Sequence, residues 1–135
     1  MTIGNEHSGV LDIAVLTTGG TIEKTYDAHQ GKLQNAISVL DHIIDELVLE
    51  EITLHRQPLM SKDSLEMTPE DHVRIAEAAI EASTRRDGVL IIHGTDRLAE
   101  TGEAICSLAD SAVSSPIVLT GAMRPWVLRD TDAHQ

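Results

Sequence analysis

The sequence predicts an α/β fold, a doubly wound parallel sheet in three α/β/α layers, and three observations predict it. Short aliphatic runs alternate with longer stretches of helical period in the order β-α-β-α-β-α-β, the pattern of parallel strands joined by crossing helices. The runs are continuously apolar rather than alternating, as strands covered on both faces are. Glycine, hydroxyl and acidic residues cluster where the runs end, which is where the ligands of such sheets bind. Right-handed connections make the fold flavodoxin-like, with the first and third strands on either side of the point where strand order reverses.

Residues 1–10 are polar, and we expect a flexible lead-in there, ahead of one domain over 11–135. The first strand, 11–16, buries Ile13, Ala14, Val15 and Leu16 and delivers TTGGTI at 17–22. Consecutive Gly19 and Gly20 admit positive φ and let a ligand approach without meeting a Cβ, and their N–H groups can face a polarised oxygen. Thr21 then presents a hydroxyl at the mouth of the turn. Residues 23–34 show neither period and read as a long lid or binding loop whose only large side chain is Tyr26. Asn35 is expected to cap a helix with Ile37, Leu40, Ile43, Ile44, Leu47 and Val48 on its inner face.

The second strand, 52–55, is closed by Pro58 and followed by the polar cluster 59–64, which includes Ser61, Lys62, Asp63 and Ser64. Thr68-Pro69-Glu70-Asp71 starts the next helix with a hydroxyl cap, a proline and two acids against the dipole. Its expected buried face is Val73, Ile75, Ala76, Ala79 and Ile80, with Arg85 and Arg86 in the last turn and Gly88 just after. The third strand, 89–92, is central and delivers His93-Gly94-Thr95-Asp96, with Asp96 in position to cap the helix that follows. Leu98, Ala99, Gly102, Ile105 and Leu108 mark that helix's inner face, and the fourth strand, 117–119, runs into TGAMRP at 120–125.

Composition bounds the rest. A chain of 135 residues is one domain's worth, since a domain of about 150 residues hides roughly 70% of its extended surface. Phe is absent and Tyr26 and Trp126 are the only large aromatics, so the core is aliphatic and a base-stacking surface is not expected. A formal net charge of −12 repels phosphate backbones and anionic membrane surfaces, so neither nucleic acid nor membrane is an expected partner. Cys106 is the only cysteine, which rules out an intrachain disulfide and suits a reducing compartment. No basic segment followed by an apolar one opens the chain, and we expect a soluble, cytoplasmic protein.

On this topology Thr21 falls beside the Thr95-Asp96 pair. A threonine hydroxyl becomes a nucleophile only with a group to share its proton and donors for the developing oxyanion. Backbone N–H groups of the Gly-Gly turn could serve as those donors. Taken singly, Asp96 also reads as a helix cap and His93 as a locally hydrogen-bonded packing residue.

TTGGTI at 17–22, HGTD at 93–96 and TGAMRP at 120–125 together resemble the bacterial-type L-asparaginase family, over its N-terminal, catalytic domain. The resemblance implies hydrolysis of the side-chain amide of L-asparagine to L-aspartate and ammonia, with no metal or organic cofactor and a homo-oligomer acting on a small amino-acid amide. It implies Thr21 as nucleophile, Tyr26 as the lid tyrosine that orients it, and Ser61 and Asp96 as holders of the substrate's α-carboxylate and α-amino groups. Thr95 matches the second threonine, whose N–H joins the oxyanion hole, and Gly20 belongs to the substrate-binding turn. Lys62 and Arg97 stand where the long enzymes usually carry glutamine and threonine. The family's fifth strand, its triad lysine and its smaller second domain fall beyond Gln135, so the fold is expected to be cut after the fourth strand and turnover by this short chain to be weak or nil.

Three other functions remain open at this point. A glutamine amidase subunit of a transfer-RNA amidotransferase shares these motifs. A non-catalytic amino-acid-binding or assembly module would keep Ser61 and Asp96 without a complete catalytic set. A phosphate-binding domain ranks last, because neither a Walker pattern nor a dinucleotide fingerprint is present.

Overall fold

The structure, a computed structural model, describes residues 9–20, 24–27, 32–35, 43–45, 47, 49–110, 113–123 and 133, with 24–27 and 32–35 described by their backbone. In chain order the elements are β1 (Leu11–Thr17), β2 (Lys24–Asp27), β3 (Lys32–Asn35), β4 (Ile52–Pro58), a 3-10 turn (Ser64–Glu66), α1 (Pro69–Ser83), β5 (Gly88–Ile92), α2 (Leu98–Leu108) and β6 (Ile117–Thr120). Four strands pair in the order β4-β1-β5-β6, and every pairing is parallel. This is the flavodoxin-like order, with the reversal between β1 and β5.

Alternate residues of the strands feed two cores, one on each face of the sheet. Ala14, Leu16, Val89 and Ile91 pack against Ile75, Ala76, Ala79 and Ala82 of α1 and Ile105 of α2. Val15 and Ile92 face the other way, onto Ile43, Ala122 and the partly buried Ile44 and Leu54. Residues 43–45 are helical, so helical backbone covers both faces. The buried apolar residues are Ala, Val, Leu, Ile and Met, as the composition requires. Among the described residues no helix is long and apolar enough to cross a membrane.

The structure corrects several local expectations. The stretch expected to be a loop contains an antiparallel hairpin, in which Tyr26 of β2 pairs with Leu33 of β3 and Lys24 with Asn35. Asn35 ends β3, and the start of the helix it is expected to cap lies outside the described residues over 36–42. KTYD and KLQN carry no run of alternating apolar residues, so the pairing left no periodic signal. β4 extends three residues past the expected end, to Pro58 itself. That is allowed because β4 is an edge strand, where a missing N–H costs no ladder bond.

In α1, Val73 is 40% exposed and His72 is buried in its place. His72, Ile75, Ala76, Ala79 and Ser83 follow the helical stripe, whereas Val73 stands roughly 100° off it. The helix stops at Ser83, so Arg85 and Arg86 lie beyond its last turn and Gly88 opens β5. In α2 the buried side chains are Thr101 and Ile105, while Ala99 and Leu108 are exposed. Ala99, Gly102 and Ile105 instead line an open groove with Ile117 and Leu119 of β6. The expected lead-in lies outside the described residues over 1–8.

Candidate functional site

The exit of β1 is fastened on both sides. Thr18 donates to the Ile92 carbonyl through its N–H at 3.1 Å and through Oγ1 at 2.7 Å. On the other side, Leu59 N donates to the Thr17 carbonyl and Lys62 N to the Thr18 carbonyl, each at 2.9 Å. The chain then turns through Gly19 at φ 104° and Gly20 at φ 93°. A Cβ on Gly19 would stand 2.6 Å from the Lys62 carbonyl oxygen, and one on Gly20 2.6 Å from Gly94 N. Gly94 is equally confined, because its Cβ would stand 2.7 Å from Ser64 Oγ. Backbone thus meets backbone where β1, β4 and β5 end, closer than any side chain permits. Thr21, the next residue and the expected nucleophile, lies outside the described residues.

Two loops flank this turn. In the first, Asp63 accepts from Leu65 N at 3.1 Å and caps the 3-10 turn. Ser64 is fully buried and accepts from Arg97 N at 3.2 Å, while Arg97 Nη1 donates to the Met67 carbonyl at 3.3 Å. These bonds brace the loop against residues 93–97 of the second. Ser61 is exposed. Lys62 Nζ donates to Asp71 Oδ2 at 2.7 Å. That bond, with a second from Thr68 N, holds the Asp71 carboxyl below the usual aspartate value.

In the second loop Thr95 is half-buried and Asp96 is exposed. The N-cap of α2 is Arg97, and no side chain caps it. The expectation that Asp96 caps this helix is corrected, since the chain takes one more residue to enter it, and the Asp96 carboxylate is not engaged at the helix start. Tyr26 sits on β2, paired through its backbone with Leu33. The structure therefore brings Gly19 against Lys62, Gly20 against Gly94 and Gly94 against Ser64 around one turn.

Behind the second loop lies a group that the motifs do not announce. His93 is completely buried. Its Nδ1 is 2.7 Å from the Gly94 carbonyl oxygen and its Nε2 2.7 Å from Thr101 Oγ1. Thr101 Oγ1 is also 2.6 Å from His72 Nδ1, and the two rings stack at 6.2 Å. Burial pushes His93 below the ordinary histidine value, and the neighbouring His72 pushes the same way against the bond to Gly94. The local packing role read for His93 holds. Ser64 belongs to the polar cluster at 59–64, whereas His72 and Thr101 lie within helices and carry no motif that marks them. Among the described residues no group of three or more His, Cys, Asp or Glu could hold a metal ion.

A parallel sheet whose strand exits close on one another through glycines, with hydroxyl, carboxylate and N–H groups around the closure, defines an α/β domain of the class whose ligands bind beyond the strand ends. Residues 12–135 match the family model described as asparaginase, N-terminal, and the chain belongs to that family. It is 35% identical over 126 residues to an L-asparaginase of Thermococcus kodakarensis, covering 91% of this chain and 37% of that protein. It is 33% identical over 124 residues to one subunit of the glutamyl-tRNA(Gln) amidotransferase of Thermoplasma acidophilum, covering 91% of this chain and 30% of that one. The solved thermostable L-asparaginase from Thermococcus kodakarensis superposes with a TM-score of 0.75 at 30% identity, over 92% of this chain and 38% of its own. The chain spans about a third of the length of the curated relatives it matches.

Proposed function

We propose that this chain forms the catalytic-domain portion of an amidohydrolase that converts L-asparagine and water to L-aspartate and ammonia. The observation that carries the reading is the closure of Lys62, Ser64 and Gly94 on the Gly19-Gly20 turn, in a chain of the asparaginase family. Thr21 attacks the amide carbon, the tetrahedral oxyanion collapses with loss of ammonia, and water hydrolyses the resulting ester. Tyr26 orients the nucleophile. Ser61 and Asp96 bind the α-carboxylate and α-amino groups, and a pair of this kind selects a zwitterion. Thr95 contributes its hydroxyl to activation and its N–H to the oxyanion. Lys62 does not serve as the base, because an ammonium donating to the Asp71 carboxylate has no lone pair to accept a proton. The protein is read as cytoplasmic, consistent with the exposed thiol of Cys106, and as a homo-oligomer, which sedimentation would test.

Binding and turnover are tested separately. Aspartate at a hundred times its Kd should add about 2.7 kcal/mol to the stability of the 135-residue chain by mass action. Asp96→Ala should lose most of that shift, and an undiminished shift would remove Asp96 from the site. Ammonia release should disappear in Thr21→Ala with the fold intact. Aspartate binding by a chain that still releases no ammonia once a family-like fifth strand with its lysine is appended would favour the amino-acid-binding module instead. A second enzymatic reading, a glutamine amidase component of a transfer-RNA amidotransferase, is favoured by the near-equal identity to the amidotransferase relative. Faster ammonia release from glutamine than from asparagine would select it.

A further inference from the structure

From the pattern of donors behind the cleft we infer that Thr101 and His72 are positioning residues, which fix the Gly94–Thr95 peptide through His93 and so aim the Thr95 N–H. The donor directions follow from the chemistry of each partner. A carbonyl oxygen only accepts, so His93 Nδ1, 2.7 Å from the Gly94 oxygen, carries a proton. A neutral His93 then has a lone pair on Nε2, and the atom 2.7 Å from it, Thr101 Oγ1, donates. Having used its one proton, Thr101 Oγ1 accepts from the remaining neighbour, His72 Nδ1 at 2.6 Å. The bonds run one way, from His72 through Thr101 to His93 and on to Gly94. The depressed pKa of His93 agrees with the neutral ring this direction requires.

The end of the chain of bonds is what matters to the cleft. Among the described residues no peptide bond is cis, and across a planar trans peptide the carbonyl and the next N–H point in opposite directions. With the Gly94 carbonyl turned toward the His93 ring, the Thr95 N–H is turned away from it. Gly94 is closely flanked, by Ser64 on one side and by Gly20 on another. His72 is steadied by stacking on His93, and its Nε2, which makes no hydrogen bond among the described residues, lies 3.3 Å from Glu100 Oε2. The inference rests on the proposed hydrolase for the purpose of the N–H, but not for its orientation.

The test therefore starts with a measurement that needs no turnover. Long-range proton–nitrogen NMR spectra of the 15N-histidine-labelled full chain at neutral pH should show His93 as the Nδ1–H tautomer. An Nε2–H tautomer would overturn the inference with no variant made. Thr101→Val removes the donor while keeping the shape, and should speed exchange of the Thr95 amide proton on the order of tenfold, the cost of one unmade buried bond. Thr101→Ser should restore the wild-type rate. An unchanged Thr95 exchange rate in a folded Thr101→Val chain would leave these residues as packing alone. In Thr101→Val, hydrolysis should fall through kcat with little change in KM, because Ser61 and Asp96 still hold the substrate. If aspartate does not stabilise the chain, the proposed function fails, while the tautomer and exchange data still decide the inference.

Discussion

Gly20 and Gly102 are both glycines, and the structure gives them opposite roles. At Gly20 a methyl group would meet Gly94 N at 2.6 Å, with the backbone at φ 93°, a conformation that costs an L-residue about 1–3 kcal/mol before any collision is counted. At Gly102, inside α2, the nearest contact for the same methyl is Leu119 Cδ1 at 4.0 Å. There alanine improves helix propensity by about 0.8–1 kcal/mol. Gly20→Ala should therefore destabilise by about 2 kcal/mol or more and abolish aspartate binding, whereas Gly102→Ala should be neutral or stabilising. Urea unfolding of the two variants checks both signs, and equal effects would mean that the turn is not confined as described.

Strands and helix cores were legible because burial on two faces leaves a continuous apolar run, as at Val15, Leu16, Ile91 and Ile92, and burial on one face leaves a helical stripe, as at Ile75, Ala76 and Ala79. The β2–β3 hairpin was not, because KTYD and KLQN carry no alternation of apolar and polar residues. Nor was the burial of His72, since polarity misleads wherever a hydroxyl from another helix satisfies the ring. The start of α1 was fully legible. Thr68 and Asp71 form a reciprocal capping box, and the same Asp71 oxygen holds Lys62. Thr68→Ala should cost about 1 kcal/mol. Asp71 has its folded pKa depressed, so its contribution is complete above the unfolded carboxylate value and is lost as pH falls through the folded one. The stability difference between wild type and Asp71→Asn should be constant from pH 8 to 5 and shrink below about pH 4. A difference that grew on acidification would contradict the sign.

Across the whole molecule, the family motifs TTGGTI, HGTD and TGAMRP were legible because each is short and follows a strand. What they could not show is how their backbones interlock, because contact between glycines carries no side-chain identity. The cleft is held by partners far apart in the chain. Thr18 and Ile92, joined at 2.7 Å, are separated by 74 positions, and Ser64 reaches Arg97 across 33. Contacts at such separations bear the entropy of closing large loops and form only when the sheet as a whole assembles. The cleft is thus not a local motif that a peptide fragment could carry. On denaturation, aspartate binding and far-ultraviolet ellipticity should be lost in one transition with one midpoint. Loss of binding at lower urea than loss of ellipticity would reveal a cleft that opens while the sheet survives. A single shared midpoint would mean that this ligand site has no existence apart from the cooperative unit that builds it.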